Sequence, residues 1–317
     1  MNILVTGASG FIGAHVCIAL AQRGHIVIGL TRQSGWPHRV QTLDENNIAN
    51  RSVRISRSTL NFFQGDLLNS QVLKKIFQNE KIEIVLHLAA YAVQSRENDA
   101  NLAHKLNVEA TKNLAQHAAD CGCARFVYLG TAREYGDVQN TVTEAQPTNP
   151  VCLYGKTKLE GGLAVQTICS DSKMALSYFR LFNSYGPLED SAKFFPSIIK
   201  GLANGEPMSL SDGHQSKDFL FISDVVGAII ALLDRHNGPA FELLNLASGK
   251  TYTLREIGQI ACKTFKADSR LLRWGEVTTS DQGAAWFNVD LTHIKKNLNW
   301  SPMIPIEEGV RQMRVFQ

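Results

Sequence analysis

The sequence predicts a doubly wound α/β fold, a parallel sheet wrapped by helices, followed by a smaller carboxyl-terminal α/β domain. Three observations carry this. Short apolar runs alternate with helix-length amphipathic segments through residue 180. A glycine-rich turn joins the first run to the first helix. Beyond Arg180 the texture breaks into short strands, isolated helices and closely spaced turns, so residues 1–180 form the first domain and 181–317 the second. Segments around 215–235 are expected to return to the first domain.

Taken in order, strands are expected at residues 2–6, 26–30, 60–64, 84–88, 126–129 and 175–180, each a short apolar run bounded by polar residues or glycine. Residues 11–22 place Ile12, Val16, Ala19 and Leu20 at helical spacing and close on Arg23-Gly24. Residues 107–119 and 153–168 read as further helices. The stretch 32–59 is polar and irregular, with a short helix near 40–43. Later come strands at 219–221 and 243–245 and helices at 192–203, 224–234 and 254–265. The turn clusters Asn183-Ser184-Tyr185-Gly186-Pro187, Asn204-Gly205-Glu206-Pro207 and Ser211-Asp212-Gly213 separate them.

Composition excludes several classes. With 44% hydrophobic and 19% charged residues among 317, the chain is neither disordered nor fibrous. A net charge of +3, from 32 Lys+Arg against 29 Asp+Glu with no basic run, argues against a nucleic-acid partner. No apolar stretch approaches the roughly 18 residues a bilayer span needs. The opening Met1-Asn2-Ile3-Leu4-Val5 reads as a strand rather than a cleavable signal. Cys17, Cys121, Cys123, Cys152, Cys169 and Cys262 form no disulfide framework, and Cys121-Gly122-Cys123 is no zinc pair. A soluble, cytoplasmic, metal-free protein is expected.

Thr6-Gly7-Ala8-Ser9-Gly10-Phe11-Ile12-Gly13 leaves a strand and opens a helix. Gly7 permits a tight turn, Gly10 lets backbone approach a pyrophosphate, and Gly13 allows close helix–strand packing; the helix start then meets the anion. This is dinucleotide-site chemistry, although the spacing is GxxGxxG. The second strand ends Gly29-Leu30-Thr31-Arg32, with no carboxylate until Asp44. A carboxylate there would bind the ribose 2′-OH of NAD, whereas arginine accommodates the 2′-phosphate of NADP. Arg32, beside Thr31, therefore predicts NADP(H), with NAD(H) still admitted.

Leu153-Tyr154-Gly155-Lys156-Thr157-Lys158 sets Tyr154 and Lys158 at i and i+4, on one helix face, while Lys156 faces elsewhere. An ammonium near a phenol favours its ionised form, which suits acid/base work at an alcohol or ketone. Together with the glycine loop, this pair makes the chain resemble the extended short-chain dehydrogenase/reductase family, in its epimerase/dehydratase branch, over nearly its whole length. Gly65-Asp66-Leu67 matches that family's adenine-contacting acid. Leu86-His87-Leu88-Ala89-Ala90 matches its strand beneath the nicotinamide, and Asn107 its structural asparagine. Gly130-Thr131-Ala132-Arg133-Glu134-Tyr135-Gly136 matches its Ser/Thr strand end. Arg180-Leu181-Phe182-Asn183 and Lys217-Asp218-Phe219 look like the nucleotide-sugar members.

The resemblance implies a Rossmann domain and a set of roles. Tyr154 exchanges a proton with the substrate oxygen, Lys158 holds the nicotinamide ribose and lowers the tyrosine pKa, and Thr131 orients the same oxygen. Gly7, Ser9, Gly10, Phe11, Ile12, Gly13, Thr31, Arg32, Asp66, Leu67, Leu88, Ala89, Ala90 and Asn107 would hold the cofactor, with Tyr154 and Lys158. Thr131, Arg133, Asn183 and Lys217 would hold a nucleotide sugar, Asn183 at the diphosphate. Lys217 stands where the family has arginine, and a late arginine over the nucleotide is not evident around 278–287. Both changes leave the base open.

Departures narrow the reaction. Dehydrating members carry Asp-Glu after the threonine, where this chain has Ala132-Arg133. Decarboxylating members carry glutamate, and members that epimerise beside a ketone cysteine, at the position of Arg133. Glu134 is expected to face the other way on an extended strand. Hydride transfer at one carbon remains. The reading is an NADPH-dependent reductase of a nucleotide-linked 4-keto-6-deoxy sugar; the alternative is a nucleotide-sugar 4-epimerase with tightly bound NAD. A non-sugar carbonyl reductase and a silent NADP-binding protein also stay open. Arg133 could touch sugar or phosphate, or pair with Glu134. Helices 107–119 and 153–168 occupy the places of the family's dimer helices, which implies a homodimer.

Overall fold

The structure is a computed structural model and describes residues 1–46, 55–56, 58–91, 97–138, 140–235, 237–278 and 288–313. The chain runs β1 (Asn2–Thr6), α1 (Phe11–Gln22), β2 (Ile26–Thr31), α2 (His38–Asn46), β3 (Leu60–Gln64), α3 (Ser70–Asn79) and β4 (Ile84–His87). Then come α4 (Ala100–His104), a π-helical turn (Lys105–Glu109), α5 (Ala110–Asp120), β5 (Arg125–Thr131), a 3₁₀ turn (Ala132–Glu134) and β6 (Thr141–Val142). They are followed by α6 (Leu153–Ser172), β7 (Ala175–Leu181), β8 (Asn183–Tyr185), α7 (Phe194–Asn204), β9 (Met208–Leu210), β10 (Ser216–Phe221) and α8 (Ile222–Asp234). The rest is β11 (Phe241–Leu246), β12 (Thr251–Thr253), α9 (Leu254–Phe265), β13 (Leu272–Trp274), β14 (Asn288–Val289), α10 (Thr292–Leu298) and α11 (Ile306–Met313).

The chain divides into two compact units. The first comprises Met1–Gly136, Pro147–Leu181 and Ile229–Leu244. Its sheet has the order β11-β7-β5-β4-β1-β2-β3. Registers such as Leu4↔Ile28, Leu4↔Val85 and Val85↔Phe126 make its inner pairs parallel. Alternate residues Leu4, Ile28, Val85, Phe126 and Leu176 point to one face and pack with Leu73 and Ile76 of α3, Leu114 of α5 and Val165 of α6. The intervening Ile3, Val5 and Val27 are buried as well. Both faces are covered, which is why these strands read as continuous apolar runs. The chain builds outward from β1 through β2 and β3, then in the other direction from β4, so the carboxyl ends of β1 and β4 adjoin at a topological switch point. Ligands of open α/β sheets bind there.

Several elements differ from expectation for identifiable reasons. The strand expected at 243–245 within the second domain is β11, the outer strand of the large sheet. Leu176 N–H donates to Ala240 and Phe182 N–H to Leu246; this constant offset makes the pairing with β7 parallel. The helix expected at 107–119 is broken by the π turn, whose extra residue turns Asn107 into the interior, where it is buried. Helix α2 is longer than the short helix near 40–43, and part of that crossover (47–54 and 57) lies outside the described residues. Helix α3 escaped the periodicity reading. It is capped by Asn69, which accepts the Gln71 N–H, and it buries Leu73, Ile76 and Phe77.

The second unit comprises Asp137–Gln146, Phe182–Ala228 and Asn245–Gln317. In it, β10 pairs parallel with β8 and antiparallel with β12. Tyr185 and Phe195 stack with ring centroids 4.1 Å apart, and Phe219 meets Phe195 edge-on at 5.0 Å. The Asp224 carboxylate accepts the Met303 and Ile304 N–H groups, both at 3.0 Å, and so pins the carboxyl-terminal segment to the start of α8. Among the described residues, no helix is long and apolar enough to cross a membrane, and no group of three or more His, Cys, Asp or Glu is placed to hold a metal.

Candidate functional site

The glycine loop sits at the switch point of the sheet. Gly7 has φ +69°, and a Cβ there would lie 2.7 Å from the Ala89 nitrogen, so the loop and the segment after β4 touch backbone to backbone. A Cβ on Gly13 would lie 2.1 Å from the Gly7 carbonyl oxygen. Gly10 is the N-cap of α1 and offers no side chain to cap it. The N–H groups of the first turn, at Phe11 and Ile12, therefore have no intrahelical partner and form a cradle for an anion. The Ser9 carbonyl accepts from Arg39 of α2 at 3.5 Å, a cation at the loop that sequence reading did not single out.

A directional relay ties this loop to the π turn. Thr111 donates to the Leu106 carbonyl at 3.3 Å, so its hydroxyl accepts from His87 Nε2–H at 2.8 Å. His87 Nδ1 then accepts from the Thr6 hydroxyl at 2.7 Å, and that oxygen accepts the Ala89 N–H at 3.3 Å. This chain requires a neutral Nε2–H imidazole. Burial, seconded by the Lys158 charge, holds the His87 pKa well below its ordinary value and keeps it neutral.

At the end of β2, Thr31 is buried and its hydroxyl accepts the Gln33 N–H at 3.2 Å, while Arg32 is exposed. Beside it, Asp66 accepts the Leu68 N–H at 2.9 Å, and Leu67 buries its side chain in the core. Leu88, Ala89 and Ala90 follow β4 directly, Ala90 being exposed. Asn107 is fully engaged. It donates to the Tyr91 carbonyl and to the Thr157 hydroxyl, both at 2.9 Å, and accepts the Tyr91 N–H at 2.9 Å. Thr157 in turn donates to the Leu153 carbonyl at 3.0 Å. With its amide so committed, Asn107 positions the turn that carries Tyr154.

Helix α6 brings Tyr154 and Lys158 into this setting because it can come close. A Cβ on Gly155 would lie 2.5 Å from the Arg133 carbonyl oxygen, and one on Gly161 2.0 Å from that of Asn107. Lys158 is buried, with Nζ 4.1 Å from the centroid of the Tyr128 ring. Burial pushes its pKa down to about 7 against the opposing pull of the Glu134 carboxylate. Tyr154 is half-buried, and its phenol is pushed up, by desolvation first and then by Glu134, with Arg133 opposing. The net shift is thus upward, with Lys158 not among its causes. The ammonium rests on the Tyr128 ring and is partly neutral near pH 7, and Arg133 is the cation that favours the phenolate.

Beside them, Thr131 ends β5 and caps the 3₁₀ turn. Its hydroxyl accepts the Arg133 N–H at 3.3 Å, which leaves the hydroxyl proton to donate. Glu134 departs from expectation: the segment is a turn rather than extended strand, and it drives the carboxylate into the interior. There it accepts the Thr131 N–H at 2.9 Å, the Tyr178 hydroxyl at 2.8 Å and Arg180 Nε at 2.8 Å. The partner of Glu134 is therefore Arg180. Arg180 could have been found in the sequence, since a charge inside the apolar run Ala175–Leu181 demands a buried counter-ion.

Asn183 and Lys217 belong to the second unit. Asn183 Nδ2 donates to the Asp218 carbonyl at 2.9 Å, and Lys217 lies opposite Tyr252 in the β10–β12 register. Between them, the buried Asp218 carboxylate accepts the Ser248 and Gly249 N–H groups, each at 2.7 Å. Burial pushes its pKa up to about 6 despite those bonds. Of the stretch searched for a late arginine, 279–287 lie outside the described residues.

Known proteins share the fold and much of the sequence. The sequence is 28% identical to a UDP-glucuronate 4-epimerase of Thermodesulfobacterium geofontis, covering 98% of this chain and 94% of that one. It is 27% identical to the mouse dTDP-D-glucose 4,6-dehydratase, covering 98% and 87%. The crystal structure of a UDP-glucuronic acid 4-epimerase from Bacillus cereus, in complex with UDP-glucuronic acid and NAD, superposes with a TM-score of 0.86 at 24% identity, covering 100% of this chain and 98% of that one. The sequence model of the NAD dependent epimerase/dehydratase family matches residues 3–247. This match spans most of the sequence, and the chain belongs to the NAD-dependent epimerase/dehydratase family.

Proposed function

We propose that the chain is a nucleotide-sugar 4-epimerase that removes a hydride from one sugar carbon and returns it to the opposite face. The observation that carries this is the closed carboxylate of Glu134, locked by Thr131, Tyr178 and Arg180, with Ala132 and Arg133 beside it. No acid/base pair for dehydration follows the threonine, so chemistry is confined to the carbon bearing the reacting oxygen. The relatives support the same reading, a UDP-glucuronate 4-epimerase among them.

The cradle fits a nicotinamide dinucleotide, because the space a Cβ would fill at Gly7 and Gly13 is what lets the loop close into an anion site. Such a cofactor supplies the hydride acceptor and donor. The chain's own residues do the rest. Tyr154 takes the proton of the sugar hydroxyl and later returns it. Thr131 donates its free hydroxyl proton to the same oxygen, and Lys158 holds the nicotinamide ribose. Asn183 and Lys217 meet the diphosphate, and helices α5 and α6 pair in a homodimer.

A second reading, an NADPH-dependent reductase of a nucleotide-linked 4-keto-6-deoxy sugar, is favoured by one observation. The end of β2 offers Thr31 and Arg32 to the adenosine ribose and no carboxylate. Denaturing the purified enzyme and identifying the released nucleotide separates the two. Stoichiometric NAD, with epimer interconversion that needs no added cofactor, is expected. Empty protein that oxidises NADPH on addition of a 4-ketosugar would establish the reductase, and Arg32→Ala should then reduce its preference for NADPH over NADH roughly tenfold or more.

A further inference from the structure

We propose that Glu134 is a positioning residue for hydride transfer: its carboxylate aims the Thr131 hydroxyl and supplies the fixed negative charge beneath the Tyr154–Lys158 turn. This rests on reading Thr131, Tyr154 and Lys158 as the hydride-transfer set.

A carboxylate with no exposed surface is a poor way to stabilise a fold, because an apolar side chain of similar volume usually serves as well or better. Here every partner is a donor: the Thr131 N–H, the Tyr178 hydroxyl and Arg180 Nε. The site is thus built for an anion, which an amide would satisfy only in part. Arg180 is held over the Tyr135 ring, 4.4 Å from its centroid, so the ion pair has a rigid floor. The geometry also transmits. The bond to the Thr131 N–H and the reciprocal Arg133 N–H bond to the Thr131 hydroxyl form a capping box, which holds the Thr131 side chain and leaves its hydroxyl proton to donate. A Cβ on Gly130 would lie 2.5 Å from the carboxylate oxygen, so the strand end has no slack.

The charged and titratable groups that face this carboxylate come from every element around it. They are Tyr128 of β5, Tyr178 and Arg180 of β7, and Tyr154 and Lys158 of α6; in its own segment Arg133 acts on Tyr154 and Tyr135 on Arg180. The carboxylate raises the pKa of both Tyr154 and Lys158. It therefore opposes the loss of the Lys158 proton that burial favours, and it sets the pH at which Tyr154 can take the proton of the sugar hydroxyl.

Three variants test this by kcat, KM and the pH dependence of kcat. Glu134→Asp keeps the charge and withdraws it by one methylene; kcat is expected to fall roughly tenfold, with KM and both limbs of the pH profile in place. Glu134→Gln combined with Arg180→Met removes the charge without stranding a buried cation; both limbs are expected to move to lower pH, by about one unit. A Glu134 that only stabilises the fold would lower the melting temperature and leave wild-type kcat in the first variant and wild-type limbs in the second, and either result overturns the proposal. Should the double variant not fold, the aspartate variant decides alone. Tyr154→Phe separates the two levels of argument: if it still turns over, the hydride-transfer set is wrong and the proposal falls with it, whereas an inactive Tyr154→Phe beside unmoved Glu134 variants overturns the proposal alone.

Discussion

Lys158→Met is expected to make the protein more stable and nearly inactive at once. The lysine is buried among Tyr128, His87 and Glu134, and its pKa falls from 10.5 to about 7. In the unfolded chain the amine keeps its proton up to about pH 10.4. Below pH 7 both states are protonated and the folded state bears the whole desolvation penalty. Between 7 and 10.5 the unfolded state binds more protons, so the penalty fades as pH rises, and above 10.5 it is gone. Methionine fills much of the same volume without a charge. The variant should therefore exceed the wild type by a few kcal/mol at pH 6, or several degrees in melting temperature, and the gap should close toward pH 10. Turnover should drop by roughly a hundredfold or more, because the amine proposed to hold the nicotinamide ribose goes. Melting curves at pH 6 and pH 10 with steady-state rates check both halves. A variant that is less stable at pH 6 would show that the ammonium, together with its Tyr128 and Glu134 contacts, is a net support of the fold.

Gly13→Ala is expected to abolish cofactor binding. The new methyl would lie 2.1 Å from the Gly7 oxygen, 2.8 Å from its carbonyl carbon and 2.9 Å from the Ala8 Cα. All three are backbone atoms of the phosphate loop, so relief requires α1 to move away from β1. A loss of about 3 kcal/mol in stability is expected, with cofactor affinity down by roughly a hundredfold or more. Gly24→Ala is the matched control. It has φ +79° but nothing within 4 Å of its Cβ position, so it should lose about 1 kcal/mol and keep its affinity. Calorimetric titration with NAD and with NADP, alongside melting curves, reads both.

The parts of this molecule visible in the sequence are those whose cause is local. The central strands carry unbroken apolar runs because both their faces are covered, and the glycine loop shows itself because its residues have backbone reasons to be there. The Tyr154–Lys158 pair is legible because helical spacing alone puts it on one face. What stayed hidden depends on long-range partners. The π turn at 105–109 leaves no mark in periodicity, since Asn107 turns inward to meet Tyr91 and Thr157, 16 and 50 residues away. An extended strand would turn Glu134 aside, and only Tyr178 and Arg180, more than 40 residues later, make a buried turn favourable. The place of β11 at the edge of the large sheet was hidden too, because a short apolar run says nothing of which sheet edge it joins. Arg39 lay in a crossover too irregular to interpret, yet it reaches the Ser9 carbonyl.

Turnover in heavy water tests most directly whether reaction is confined to hydride transfer at one carbon. A nucleotide sugar brought to equilibrium with the enzyme in D₂O should gain no carbon-bound deuterium, since Tyr154 exchanges only the proton on oxygen and the hydride returns to the carbon it left. Deuterium at C5 or C6 would reveal proton abstraction beside a ketone, and with it an acid/base pair that Ala132, Arg133 and the closed Glu134 do not provide.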